Sequence, residues 1–234
     1  MKQLTLLGSA FLLFLTSCNF TTGSGNIVTE KRSVSNFTDI NVSNAFDVEI
    51  KIGPAEEVKV EADDNIMKYI RTEVSGNTLR IKTENLHSLS DAHLKVYITM
   101  PEVKNIDASA AANVKVLDII KVNGKLGFNA SSAADIEAEV EAPEVEAEAS
   151  SSGTVKLSGK TKNYKAQASS GASIKTAELL SEITDVSVSS GANAAVYSSV
   201  SLSADASSGG TIKYYGDGSV KPNTSSGGTI EKKN

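Results

Sequence analysis

Seven carboxylates fall within one short stretch: Asp135, Glu137, Glu139, Glu141, Glu144, Glu146 and Glu148. Oxygen-rich groups of this kind can hold a hard divalent cation such as Ca²⁺, with Glu137, Glu139, Glu146 and Glu148 as the candidate ligands. Their alternation is also that of a solvated strand face, and this plainer reading predicts no bound metal. The Gly-Gly-x-Gly-x-Asp pattern of calcium-binding β-rolls is absent, since Gly209-Gly210 and Gly227-Gly228 run on into Thr and Ile. His87 and His93 are the only histidines and flank Asp91, a spacing that suits a polar loop better than a metal pair. No Gly-x-Ser-x-Gly stands in a strand-turn-helix setting, so the many serines carry no hydrolase signature. Arg32, Arg71 and Arg80 are the only arginines, all near one end, and a lyase or hydrolase would need them gathered with acids in a cleft. Tyr197 and Tyr215 are candidate ligand-binding rings for a sugar, whereas Tyr214 shares the inward parity of Ile212. No catalytic residue and no cofactor is assigned.

The elements that must position these groups are written as a repeat. A six-residue phrase recurs seven times: Ser109-Ala-Ala-Ala-Asn-Val114, Ser131-Ser-Ala-Ala-Asp-Ile136, Ser150-Ser-Ser-Gly-Thr-Val155, Ser169-Ser-Gly-Ala-Ser-Ile174, Ser189-Ser-Gly-Ala-Asn-Ala194, Ser207-Ser-Gly-Gly-Thr-Ile212 and Ser225-Ser-Gly-Gly-Thr-Ile230. Subtracting the first serines gives steps of 22, 19, 19, 20, 18 and 18 residues. A period of this length indicates stacked coils, none of which can bury its apolar face alone. Between phrases the chain alternates apolar and polar, as in Val145-Glu-Ala-Glu-Ala149, which is the strand period. The phrase is therefore a corner of small residues. Its fifth slot holds Asn113, Asp135, Thr154, Ser173, Asn193, Thr211 and Thr229, a polar ladder whose side chains could fix the turn through nearby backbone. Its seventh slot holds Lys115, Glu137, Lys156, Lys175, Ala195, Lys213 and Glu231; the first three alternate in sign, which would help lateral neighbours in the stack, and Lys156 beside Lys175 goes against that pattern.

The N-terminal part is less regular. Ser43-Asn-Ala-Phe-Asp-Val48 fits the phrase loosely, with Asp47 in the polar slot. A short helix is expected within Asp64–Arg71, capped by Asp63 or Asp64, and a hairpin about Gly76-Asn77. Lys2 and the apolar run Leu4 to Leu15 have the form of a cleaved export signal over residues 1–17. The stretch Leu15-Thr16-Ser17-Cys18 resembles the lipobox of bacterial lipoproteins, which implies cleavage before Cys18 and acyl chains upon it. Cys18 is the only cysteine, so no internal disulfide can form. Residues 18–26 lack apolar periodicity and are expected to be a flexible tether, leaving 27–234 as a single domain. Asn19 after the lipidated position favours the outer membrane by analogy with sorting rules, with the periplasmic or outer face left open.

The net charge of −5 gives no basic footprint for nucleic acid. Trp is absent and aromatics are 5%, which suits thin coils of small aliphatic residues. The order Gly25-Asn-Ile-Val28, Phe37-Thr-Asp-Ile-Asn-Val-Ser43, Phe46-Asp-Val-Glu-Ile50, Asp63-Asp-Asn-Ile66 and then the Ser-Ser-Gly phrases resembles the GIN-domain family of adhesin-like lipoproteins common in Bacteroidetes. That resemblance covers residues 26–234. It implies an all-β, right-handed parallel β-helix (a β-solenoid-like stack of coils of roughly 18–22 residues) and a non-catalytic role in adhesion, and it brings no catalytic residues. Expected partners are the membrane through the lipid anchor, a glycan or protein ligand, and a second copy through strand addition at the end coils. An envelope-stress sensor or assembly factor, and a polysaccharide-active enzyme on a β-helix scaffold, are the alternatives.

Overall fold

The computed structural model describes residues 20–84 and 88–234. The export signal, Cys18 and His87 lie outside the described residues. The first part of the chain supplies β1 (Phe20–Thr22), β2 (Ile27–Arg32), β3 (Asp39–Val42), β4 (Asp47–Ile52), β5 (Glu57–Asp63), helix α1 (Asp64–Met67), β6 (Ile70–Ser75), β7 (Thr78–Thr83), β8 (Ser88–Ser90) and β9 (Leu94–Met100). The coils follow: β10 (Asn105–Ala108), β11 (Asn113–Val116), β12 (Ile120–Lys121), β13 (Lys125–Ala130), β14 (Asp135–Ala149), β15 (Thr154–Ala168), β16 (Ser173–Val188), β17 (Asn193–Tyr197), β18 (Ser201–Ala206), β19 (Thr211–Tyr215), β20 (Ser219–Thr224) and β21 (Thr229–Lys232).

Strand pairing arranges these as two faces around one thin core. One face runs β2-β5-β9-β4-β11-β14-β15-β16-β17-β19-β21. The other runs β6-β7-β3-β10-β13-β14-β15-β16-β18-β20. The pairs within the coils are parallel, as stacking successive turns of one chain requires. Strands β14, β15 and β16 serve both faces. They bend where two successive residues face solvent, at Pro143-Glu144, Lys162-Asn163 and Glu182-Ile183, so the inward parity resets from one face to the other.

The opposite corner is the repeated phrase. Its second and third residues both take left-handed angles, for example Ala110 and Ala111 (φ 51° and 61°) and Ser190 and Gly191 (φ 52° and 70°). The fourth amide donates to the first carbonyl, as Ala192 N to Ser189 O at 3.1 Å, which closes a type I′ turn. The third amide then reaches the next coil, as Gly191 N to Ser208 O at 3.1 Å. Backbone groups thus satisfy one another along the whole edge. Small residues fill the phrase because left-handed angles cost least for them. The loose copy at Ser43 is a true corner, with Asn44 and Ala45 at φ 68° and 55° and Ala45 N donating to Ala110 O at 2.9 Å. Coil one therefore stacks on a coil 66 residues later (109 − 43), and β5 to β9 form an excursion between them.

The slots of the corner make different demands, and one expectation about it changes. Space is not what selects glycine at Gly191, since a Cβ there would meet nothing within 4 Å. The tight approach is at the fourth slot, where a Cβ on Gly153 would sit 2.4 Å from the Ala130 carbonyl oxygen and one on Gly228 2.1 Å from that of Ala206, and again mid-strand at Gly159, where φ is 110° and a Cβ would sit 2.1 Å from the Val140 carbonyl oxygen. The polar ladder does form one axial row by register, from Asp47 and Asn113 through Asp135, Thr154, Ser173 and Asn193 to Thr211 and Thr229. Its side chains are not what close the turns; Asn113 Nδ2 donates sideways to Asp47 Oδ1 at 3.3 Å, and the turns are closed by backbone.

The two ends differ. At the N-terminal end the antiparallel strands β5, β2 and β6 finish the faces, and α1 crosses between them with Ile66 and Met67 buried. The core there holds Phe37, Ile40, Phe46, Ile50 and Met100. At the other end β20 and β21 are largely exposed, with Val220 and Ile230 only partly buried. Ser219 N and Ser225 N donate back to β18-side carbonyls at 2.9 and 3.0 Å, so the even-numbered amides of β20 point to the open edge. Pro222 occupies one of those positions and has no N–H to offer.

Candidate functional site

Stacking brings the acidic run against lysines rather than into a cation cage. Glu137 lies 2.9 Å from Lys156 and 3.9 Å from Lys115, on the coils either side. Glu146 sits between Lys125 and Lys165, at 2.5 and 3.0 Å. Hydrogen bonds from Lys125 first and Lys165 second hold the Glu146 carboxyl below its ordinary range, and Lys156 does the same for Glu137. Glu137 and Glu139 occupy one face of the stack, and Glu146 and Glu148 the other. Among the described residues no three His, Cys, Asp or Glu side chains gather as a metal site. The run is one continuous bent strand, β14.

The N-terminal basic residues are likewise paired locally. Arg71 Nε donates to Glu84 Oε1 at 2.7 Å, and Arg80 stands opposite Glu73 across the β6–β7 hairpin. His93 Nε2 meets Glu61 Oε1 at 2.8 Å. These pairs sit at the capped end, and none places a base beside a corner serine.

Tyr197 and Tyr215, by contrast, come together. They are in-register partners on β17 and β19, one strand spacing of about 4.8 Å apart, and both are half-exposed. Tyr214 points the other way and packs against the core. Around the pair lie Leu180, which is 47% exposed, with Glu178, Asp217 and Lys232, forming a shallow groove of about 690 Å³. Gly216 (φ 90°) is required beside them, because a Cβ there would come within 2.3 Å of Ser198 O and 3.2 Å of the Tyr197 ring.

The rung beneath is fixed by hydroxyls that face inward. Ser181 Oγ and Thr184 Oγ1 both donate to the Tyr197 carbonyl, the latter at 2.8 Å, and both residues are 1% exposed. Ser198 Oγ donates to Ser201 O at 2.7 Å. The sequence signal for this was an inverted pair, Leu180 outward and Ser181 inward. It follows a one-residue irregularity where Lys156 to Ser158 on β15 face Lys175 to Glu178 on β16. The bulge lets Glu178 lean into the groove.

Glu178 also lines a second hollow on the same face, with Leu117, Ile119, Glu139 and Ser158. Leu117 and Ile119 are 42% and 40% exposed, and Asp118 holds their loop by accepting Ile52 N at 3.0 Å. The two hollows meet at Glu178, which lines both, and together form a trough of mixed charge along this face, with Lys115 and Lys156 among the acids of one hollow and Lys232 and Lys233 beside Asp217 in the other. Such a surface can bind an extended chain; it shows no nucleophile, base and orienting group in mutual reach.

The family described as "Putative auto-transporter adhesin, head GIN domain" matches residues 36–218. This chain belongs to that family. Among solved structures, a "putative adhesin" from Bacteroides fragilis superposes with a TM-score of 0.84 at 17% identity, covering 91% of this chain and 100% of that one. A "putative lipid binding protein" from Parabacteroides distasonis gives 0.75 at 20% identity over 92% and 100%. A "putative adhesin" from the same species gives 0.75 at 22% identity over 92% and 100%. At these identities the likeness is one of fold. No curated protein matches the chain. The GIN domain is thus of an adhesin type associated with the cell surface or envelope, and no catalytic activity is indicated for it. No helix among the described residues is long and apolar enough to cross a membrane.

Proposed function

We propose that this GIN domain is a non-catalytic, lipid-anchored module of the outer membrane that captures a carbohydrate chain along the trough ending at Tyr197 and Tyr215. The observation that carries the reading is the in-register tyrosine pair beside exposed Leu180. Two rings on successive rungs offer amphipathic faces to the C–H side of successive sugars, and their phenol tips stay hydrated. Glu139, Glu178 and Asp217 can accept hydrogen bonds from sugar hydroxyls, and Lys156 and Lys232 can donate to them. The anchor reading rests on Cys18 in its lipobox-like setting.

Screening the purified protein on a glycan array, followed by titration calorimetry, tests the ligand class. Replacing both Tyr197 and Tyr215 by Ala should weaken binding at least tenfold, about 1.4 kcal/mol, with the circular dichroism unchanged. Binding that survives the double substitution would move the site elsewhere. External protease on intact cells tests the membrane face. Cleavage supports adhesion, and protection until the outer membrane is broken supports a periplasmic assembly or sensing role.

A further inference from the structure

The segment expected to be a flexible tether is docked from its first described residue. β1 pairs in parallel with β8, Phe20 opposite Ser88 and Thr22 opposite Ser90, and Gly23 N donates to Ser90 O at 3.1 Å. Beyond it, three consecutive residues at the start of α1 grip the chain. Asp63, only 2% exposed, accepts Gly25 N at 2.7 Å on one carboxylate oxygen and His93 N at 2.8 Å on the other. Asp64 takes Ser24 Oγ at 2.6 Å and Asn26 Nδ2 at 2.8 Å. Asn65 accepts Ser24 N at 3.1 Å and donates to Thr22 O at 2.8 Å. Asp63 is the N-cap of α1 by position, yet its side chain makes no capping bond; it is committed to this clasp. Gly23 fits only as glycine, since a Cβ would lie 2.5 Å from Asp63 Oδ2 and 2.6 Å from Asp91 O.

The clasp sits at the closed end of the stack, where α1 crosses between the faces. Cys18 precedes Phe20 by two residues, a reach of roughly 7 Å at most. From β5 to β19 there are eight strand steps, so Tyr215 stands roughly 40 Å from the clasp along the axis. At the same end the ammonium of exposed Lys68 lies 4.9 Å over the Tyr69 ring, a cationic tip on an amphipathic ring of the kind that suits a headgroup layer.

We propose that the capped end is the face that meets the lipid surface, and that the Asp63–Asn65 clasp holds the stack cap-down with the tyrosine trough directed away from the bilayer. The proposal rests on the lipid-anchor reading. A chain free from residue 18 to residue 26 would let the domain lie in any attitude; the clasp removes seven residues of that leash.

The test uses the full, processed chain in phosphatidylethanolamine–phosphatidylglycerol vesicles carrying a lipid-linked acceptor dye. Donor dyes are placed on Thr29→Cys, in the outermost strand of the cap, or on Lys221→Cys, in β20. Transfer to the bilayer should be several-fold stronger from position 29. The double substitution Asp64→Ala, Asn65→Ala, with unchanged circular dichroism, should shrink that difference. Equal transfer from both positions in the intact clasp, or a difference indifferent to the double substitution, overturns the proposal. Failure of the anchor itself shows separately: the chain would not float with vesicles, and the Cys18 thiol would take up maleimide.

Discussion

The two ends of this stack solve the same problem with different chemistry. Each is a row of strand edges with an apolar interior to hide. At the N-terminal end antiparallel strands and α1 close it over Phe46, Ile40 and Met100, all essentially inaccessible. At the other end β20 and β21 leave Val220 and Ile230 half covered, and the edge is guarded instead by Pro222 and by Glu231, Lys232 and Lys233. Charge and proline keep an exposed edge from recruiting another strand without burying anything. The lesson is that a solenoid can carry a stability gradient while its rung geometry stays constant.

The sharpest way to break that comparison is to empty each end in turn. Phe46→Ala should cost about 3–5 kcal/mol, because a fully enclosed ring leaves a cavity the stacked backbone cannot collapse. Ile230→Ala should cost only about 1 kcal/mol, since its side chain is already partly wet. Denaturant unfolding of both variants checks this, and equal losses would abolish the gradient.

The guard on the open edge can be removed by Pro222→Val. This restores an edge N–H and should raise self-association over the parent chain in sedimentation velocity while leaving thermal stability nearly unchanged. An unaltered sedimentation profile would mean that the charges of β21 suffice.

The smallest effect concerns the middle coils that join the ends. Lys125 and Lys165 lower the folded pKa of Glu146 below its ordinary 4.5, so the pair's contribution is fully present above that value. It is lost as pH falls through the depressed folded value. Because these side chains are solvated, acidification below pH 4.5 should lower the melting temperature only slightly, and Glu146→Gln should flatten that part of the profile. A Glu146→Gln profile that tracks the parent would show the row to be ornamental.

Much of the coil region was legible because its code is local. Alternating parity gives the inward rows, and runs of Ser, Ala and Gly at fixed spacing mark left-handed corners that larger residues would strain. Tyr197 and Tyr215 could be singled out because both have outward parity one period apart. What stayed hidden depends on contacts far apart in the chain. Nothing near Asp63 announces that its carboxylate will take the amides of Gly25 and His93. Likewise the pairing of the Ser43 corner with the Ser109 corner is settled only when the excursion between them folds back. The tilt of Glu178 into the trough comes from a one-residue bulge, invisible to a period-two pattern.

The corner ladder has a consequence for how such a chain can diversify. It works like the spine of a bound book: the pages are held at one edge, where backbone groups alone set the pitch, and are free at the fore-edge. Steps between corners vary from 18 to 22 residues, and in one case reach 66, without disturbing the spine. Length can be added at Pro143-Glu144, Lys162-Asn163 or Glu182-Ile183, where the chain already faces water, and the neighbouring leaves need not move. The capping excursion between Ile52 and Asn105 is then simply the longest such insertion, and new surfaces can be grafted by the same route.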